Sequence, residues 1–374
     1  GDPWQGYAGG NPFPRVIGQG SEAEWPFPGL LTISYRPDTR APYVHQWNLS
    51  VEKQVANWLL SATYLGNTTI HLWTDYNPNP TLPLAVSGPC VIAGVTYNPC
   101  AASATGAAIN VEARRRLNVL NPVEGKFYGT VGILDDGGTA SYNGVILSTR
   151  GRFGTLLNTT TNFTWSHCVT DPYTTGLGIA GFQYSQPDDR RASRGTCTGQ
   201  RNRVVNFTVL ANTPMFGGPT TQMLAGNWQV ALLGRIQSGT WFNAITGSDR
   251  ALTATSGQRP NQVLDDPYAA NQSAELWLNP AAFAQPALGT YGNMSVNGLL
   301  GPKNIQFDLA LSRVFDAGGG RRLEARVEGF NVLNLLNLNN PTTSLLSPDF
   351  GKIHVGTTGA QAPRIMQFAL KYLF

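Results

Sequence analysis

Charge is scarce in this sequence. Asp, Glu, Lys and Arg make up 13% of its 374 residues, against about 25% in ordinary soluble domains. A soluble protein of this size covers its exterior with ions; this chain offers mostly Asn, Thr, Ser, Gln and Gly instead. No stretch approaches the roughly 18 consecutive apolar residues of a membrane-spanning helix, which excludes that class of membrane protein. The four histidines, His45, His71, His167 and His354, are scattered, and each reads as a rim or loop residue rather than a ligand or base. G-x-S-x-G, H-E-x-x-H and Walker A sequences are missing, so no nucleophile, base and orienting group can be assembled, and the chain is not expected to be an enzyme. Gly176-Leu177-Gly178-Ile179-Ala180-Gly181 matches G-x-G-x-x-G but lacks the preceding buried strand and following helix that a dinucleotide site needs. Asp135-Asp136-Gly137-Gly138 and Asp265-Asp266 read first as turns, with oxygen ligation of Ca²⁺ as the lesser alternative. The net charge of +4 is spread along the chain, with Arg114-Arg115-Arg116 its tight cluster; that triplet is expected to be a solvated loop rather than a nucleic-acid patch. No cofactor and no metal site is expected.

Glycine (42 residues) and aromatics (10%) are plentiful, and the last nine residues say how they are used. Met366, Phe368, Leu370, Tyr372 and Phe374 alternate with Gln367, Ala369, Lys371 and Leu373. A strand sends successive side chains to opposite faces, so the first set forms one uninterrupted apolar row. Such a strand suits lipid on one side and a wet lumen on the other; the soluble alternative is an edge strand closing a β-sandwich. The pattern recurs. Leu157, Thr159, Thr161, Phe163 and Trp165 oppose an entirely polar set from Asn158 to Ser166. Val205, Phe207 and Val209 oppose Asn206 and Thr208; Trp228, Val230, Leu232 and Ile236 oppose Gln229, Arg235 and Gln237. Ile305, Phe307, Leu309 and Leu311 oppose Gln306, Asp308 and Ser312, and Leu323, Ala325 and Val327 oppose Glu324, Arg326 and Glu328. A sandwich core cannot take three successive ions, because burying them unpaired costs several kcal/mol each.

These segments organise into an all-β chain, a transmembrane antiparallel barrel of about ten strands. If Phe374 lies at the periplasmic end, strands near 363–374, 304–316, 201–211, 141–152 and 43–55 run inward. Those near 321–335, 227–248, 155–168, 59–76 and 29–36 run outward. Inner turns are then mostly short (Ala56-Asn57-Trp58, Phe153-Gly154, Asn212 to Gly226, Ala317 to Gly320), and outer connections, near 77–140, 169–200, 249–303 and 336–362, are long. Residues 1–28 read as a Gly/Pro-rich extended segment, with a signal peptide absent or already removed, and 29–374 as the barrel region. The four cysteines fall in or beside outer loops; Cys90–Cys100 with Cys168–Cys197 is the simplest of three pairings and suits an oxidising compartment. Trp47, Trp58, Tyr64, Trp73, Tyr76, Trp165, Trp228, Trp241 and Tyr372 sit near proposed strand ends, where aromatic rings form interfacial girdles. Arg235, Asp308, Glu324, Arg326 and Glu328 are the lumen-facing polar candidates, expected to form a ladder of cross-strand ion pairs or to meet a plug or passing solute.

Residues 42–54 (Pro42 to Gln54), 61–67, 142–145, 162–166, 237–242 and 330–334, in this order, resemble the C-terminal barrel of Oar-like TonB-dependent receptors, outer-membrane proteins abundant in acidobacteria and associated with carboxypeptidase-regulatory-like domains. The row Met366, Phe368, Leu370, Tyr372 and Phe374 resembles the C-terminal signature of bacterial outer-membrane barrels, which implies recognition by the barrel assembly machinery. The resemblance implies a Gram-negative outer membrane, lipid contact, uptake of a bulky solute through the outer loops, and coupling to a TonB complex where a plug is present. Family members are longer, with a plug and about 22 strands. This chain has room for about half of them and shows no plug region, so it reads as part of a larger barrel, or as a shortened one that works alone or beside another chain supplying strands. A surface adhesive protein anchored by its barrel and a plugless diffusion porin are the competing functions; no nucleic acid is expected.

Overall fold

The computed structural model describes residues 32–172, 184–214, 216–354 and 363–374. Nine long strands carry it: β1 (Tyr43–Val55), β2 (Trp58–Tyr76), β3 (Val131–Phe153), β4 (Leu157–Thr170), β5 (Arg203–Asn212), β6 (Trp228–Gln237), β7 (Asn304–Gly318), β8 (Arg321–Phe330) and β9 (Ile365–Leu373). Each pairs antiparallel with its sequence neighbour, so the sheet runs in chain order from β1 to β9. Among the described residues no ladder joins β1 to β9.

The register gives the sheet two different faces. Leu49, Tyr64, Val145 and Trp165 stand in one cross-strand row, and Ser50, Thr63, Ile146 and Thr164 in the next. Continued across the sheet, one face carries Trp47, Val51, Phe163, Phe207, Leu309, Val327 and Phe368, and the other Asn48, Glu52, Asn162, Asn206, Asp308, Glu328 and Gln367. The apolar face is bare: Leu49, Phe368 and Leu370 are 67%, 76% and 71% exposed. Rows of large apolar side chains on that scale do not face water in monomeric proteins. Bulky side chains on this face also cover cross-strand glycines. A Cβ on Gly66 would lie 2.3 Å from the Trp47 indole, and one on Gly234 2.2 Å from the Phe207 ring.

The turns at one end are tight. Ala56 and Asn57 join β1 to β2, with Ala56 at φ 50, and Gly319-Gly320 join β7 to β8 at φ 62 and 82. The exception is 213–227, which holds a short helix, α1 (Pro219–Ala225). The four longest connections gather at the other end, at 77–130, 171–202, 238–303 and 331–364.

Four strand segments depart from expectation. Segment 227–248 ends as a long strand at Gln237, because Gly239 passes so close to Gly301 that a Cβ would sit 1.8 Å from its carbonyl oxygen. Segment 321–335 ends at Phe330, where Asn331 turns to φ 47. The outward strand expected near 29–36 is instead Thr32–Tyr35, parallel to Val131–Leu134 of β3. β3 starts earlier than its hydropathy suggested; its 23 residues span about 75 Å at a strand's rise, so its first part, with the end of β2, projects past the sheet. The bulge there places His71 at φ 58.

The buried apolar core lies in the long connections rather than in the sheet. Phe242, Ala244, Leu278, Ala282, Phe283, Met294, Leu299 and Phe350 cluster between the third and fourth connections. Ala101, Ala102 and Leu252 cluster between the first and third. A one-layer sheet has no second layer to bury its apolar face against, so packing is left to the segments that fold back on one another.

Candidate functional site

The polar face holds most of the residues singled out from sequence. Arg326 stands between two carboxylates, with guanidinium nitrogens 3.9 Å from Glu324 and 3.4 Å from Glu328. These contacts run along β8, not across strands, which corrects the expected cross-strand ladder. The neighbours opposite Arg326 are Ser312 and Ala369, neither of which carries charge, so the long side chain finds its partners two residues away on its own face. Lys371 stands opposite Glu324. Asp308 lies elsewhere, accepting hydrogen bonds from Gln306 Nε2 at 3.0 Å and from the Asn331 backbone N–H at 2.9 Å. Arg235 stands between Asn206 and Gln306. The structure thus brings Glu324, Arg326 and Glu328 together and leaves Asp308 and Arg235 apart from them. On the opposite face, Met366, Phe368, Leu370, Tyr372 and Phe374 form an exposed column, with the last two rings stacked 6.1 Å apart.

At the loop end the polar face opens into a cavity of about 880 Å³ lined by Thr69, Cys168, Asp171, Ser193, Arg259 and Asn297, among others. Two connections, 171–202 and 238–303, meet around it. Arg259 donates from Nε to the Met294 carbonyl at 2.7 Å and from Nη2 to the Ala192 carbonyl. Burial pushes this guanidinium below the ordinary arginine range, since loss of water disfavours its charge. Asn297 donates to the Thr196 carbonyl at 2.6 Å, and Gly195 bridges to Val296. Asp171 accepts from Arg194 at 3.0 Å and from the Thr139 N–H at 2.8 Å. Disulfides Cys90–Cys100 and Cys168–Cys197 are both formed, the second beside the cavity.

Sequence reading missed Arg259, Arg194 and Asp171. The available signal was the length of 238–303: a connection that long and rich in apolar residues rarely lacks structure of its own. The arginine triplet is a correction. Arg114 is fully buried and Arg115 nearly so. Arg114 donates to the Ile109 carbonyl at 2.9 Å and to Leu82, Arg115 clasps Glu112 at 2.5 Å, and Arg116 meets Asp188 at 2.6 Å. Irregular loops leave carbonyls without strand or helix partners, and a guanidinium's five donors can satisfy several of them.

The acidic turn is also assigned differently. Asp135 pairs with Arg190 at 2.6 Å and with Arg36 at 3.6 Å, while Asp136 pairs with Arg40 at 3.2 Å and His71 at 3.3 Å. Cationic side chains therefore take the Asp135 and Asp136 oxygens considered for Ca²⁺, and among the described residues no group of three or more His, Cys, Asp or Glu is placed to hold a metal. Asp266 caps the backbone N–H of Tyr268 at 3.0 Å. The glycine-rich stretch 176–181 lies outside the described residues.

No curated protein sequence matches the chain. Two solved structures of outer-membrane transporters are similar to it: the FrpB iron transporter (F3-3 variant) from Neisseria meningitidis, at 11% identity and a TM-score of 0.39 over 92% of this chain, and YddB from Escherichia coli, at 10% identity and a TM-score of 0.43 over 90%. The chain spans 33% of the length of each. The sequence model of the outer membrane β-barrel domain matches residues 2–367. That match covers nearly the whole chain, which belongs to the outer membrane β-barrel domain family of the bacterial outer membrane.

Proposed function

We propose that this chain forms part of the wall and the outer cap of a TonB-dependent, Oar-like transporter that takes up a bulky solute. The observation carrying this reading is the interlocking of the four long connections into one packed body over the polar face, with the cavity of about 880 Å³ at its base. A simple diffusion pore has no need of such a cap, whereas a receptor must hold its solute before passing it along the polar wall. In this reading the cap faces outward, the tight turns face the periplasm, and Glu324, Arg326, Glu328, Arg235 and Asp308 line the solute's route or meet a plug. The barrel assembly machinery reads the column ending at Phe374, and a TonB complex supplies energy through a plug in the whole protein.

The test is accumulation of a labelled solute panel, too large for passive diffusion, by cells carrying the whole protein, with and without a protonophore. Uptake of at least one solute that the protonophore abolishes supports the proposal. Uptake indifferent to the protonophore favours a porin. No change in uptake, with cell adhesion abolished on deleting residues 238–303, favours an adhesive protein.

A further inference from the structure

The connection 213–227 is the one long link at the tight-turn end, and its helix α1 lies on the apolar side of the sheet. Two hydrogen bonds place it there. The Trp228 indole N–H donates to the Leu224 carbonyl at 3.1 Å, and the Arg313 guanidinium donates to the Met223 carbonyl. Trp228 and Arg313 stand opposite each other at the margin of the apolar face, and Arg313 lies over the Trp228 ring at 5.2 Å and the Phe315 ring at 4.7 Å. The helix is thus tied to the outside of the wall through its last carbonyls. It nevertheless buries none of its own residues: Met223 and Leu224 are 71% and 66% exposed.

The distribution of charge says what covers them. Within the regularly paired part of the nine strands every carboxylate, Glu52, Asp308, Asp316, Glu324 and Glu328, falls on the polar face by register. The apolar face carries ions of one sign only: Lys53 near the tight-turn end of β1, Arg313 beside α1, and Arg203 at the opposite margin. Cations at the edge of a hydrocarbon-facing band reach toward phosphate while their stems stay in the apolar layer. An apolar helical turn beside a Trp and an Arg at that level suits the boundary between acyl chains and headgroups.

We propose that α1, with Trp228, Arg313 and Phe315, is an interfacial anchor: Met223 and Leu224 insert among the glycerophospholipid acyl chains, and Arg313 and Lys53 draw anionic headgroups to the same rim. Which leaflet it meets, the inner one, rests on the orientation proposed above; the depth of insertion does not.

The native cysteines described are all in disulfides, so single cysteines at Thr221, Met223 and Leu224 can each take a nitroxide label in protein reconstituted in phosphatidylethanolamine vesicles with or without phosphatidylglycerol. Labels at 223 and 224 are expected to be more accessible to oxygen than to a water-soluble nickel chelate, at a depth of about 5–10 Å, with the reverse at 221. Adding phosphatidylglycerol is expected to deepen both apolar labels, a response that K53Q/R313Q abolishes and R313K retains. Nickel-accessible labels at 223 and 224, or labels shielded from both reagents, overturn the anchor. A depth unaffected by phosphatidylglycerol overturns the headgroup assignment. Protease access from one side of the vesicle reports orientation separately.

Discussion

Gly239→Ala tests whether the cap is locked to the wall where β6 leaves the sheet. Gly239 and Gly301 are both buried, and the Gly301 N–H donates to the Thr240 carbonyl at 2.9 Å. A methyl group on Gly239 would lie 1.8 Å from the Gly301 carbonyl oxygen. Reaching ordinary contact requires the two backbones to part by about 1.5 Å, since non-bonded heavy atoms settle beyond about 3 Å. Overpacking of this kind costs about 1–3 kcal/mol, and orphaning a buried N–H another 1–3. Alanine recovers about 0.5–1 kcal/mol by restricting the unfolded chain, leaving a net loss of about 1–5 kcal/mol. Hydrogen exchange of a peptide covering 296–303 reads the effect directly, and a urea titration of the detergent-solubilised protein reads its size. Gly217→Ala, where a Cβ meets nothing within 4 Å, is the control. Unchanged exchange at 296–303 together with a urea midpoint equal to that of the control would refute the close-approach argument.

The disulfides should differ in worth. Cys168–Cys197 closes a 29-residue separation and Cys90–Cys100 one of 10, so loop-closure entropy assigns about 3.6 and 2.7 kcal/mol; C168S/C197S should lower the urea midpoint more than C90S/C100S, and the opposite order would count against an entropic origin. Burial opposes ionisation of Asp136, but hydrogen bonds from Arg40 and the charges of Arg40 and His71 outweigh it and hold this carboxyl below its usual value. Its contribution is therefore present above the unfolded carboxyl's pKa and fades as pH falls through the folded one. Hydroxyl-radical footprinting of Trp73, whose indole donates to the Arg40 carbonyl at 2.8 Å, should rise below about pH 4. D136N should show the raised reactivity at every pH, and a flat profile in the parent protein would contradict the pairing. Gly66→Leu should evict the Trp47 ring that now covers it and slow assembly, seen as a smaller heat-modifiable band on gels, whereas Gly217→Leu, where a Cβ meets nothing within 4 Å, should be tolerated in that assay.

Strands were legible in the sequence because each faces two environments, and a period of two survives any detail of packing. The nine long strands, their antiparallel order and the crowding of long connections at one end all follow from alternation such as Asn158 to Trp165 and from turn residues such as Gly319-Gly320. The cap was not legible. Its core unites Ala101 with Leu252 and Phe242 with Phe350, pairings between distant segments that have no period to betray them. The arginine triplet misled for a related reason: three adjacent cations look solvated unless the carbonyls that receive them, such as those of Ile109 and Leu82, are known. At the polar wall the residues were legible and their partners were not, because Arg326 reaches along its strand where its cross-strand neighbours carry no charge.

The parity of the sheet has a consequence for any complete cylinder. Nine strands alternating in direction leave β1 and β9 pointing the same way, so a seam joining these borders directly would be parallel, and so would each seam with a second copy in the same orientation. Closure by antiparallel ladders alone calls for an odd number of further strands, the first and last both running opposite to β1.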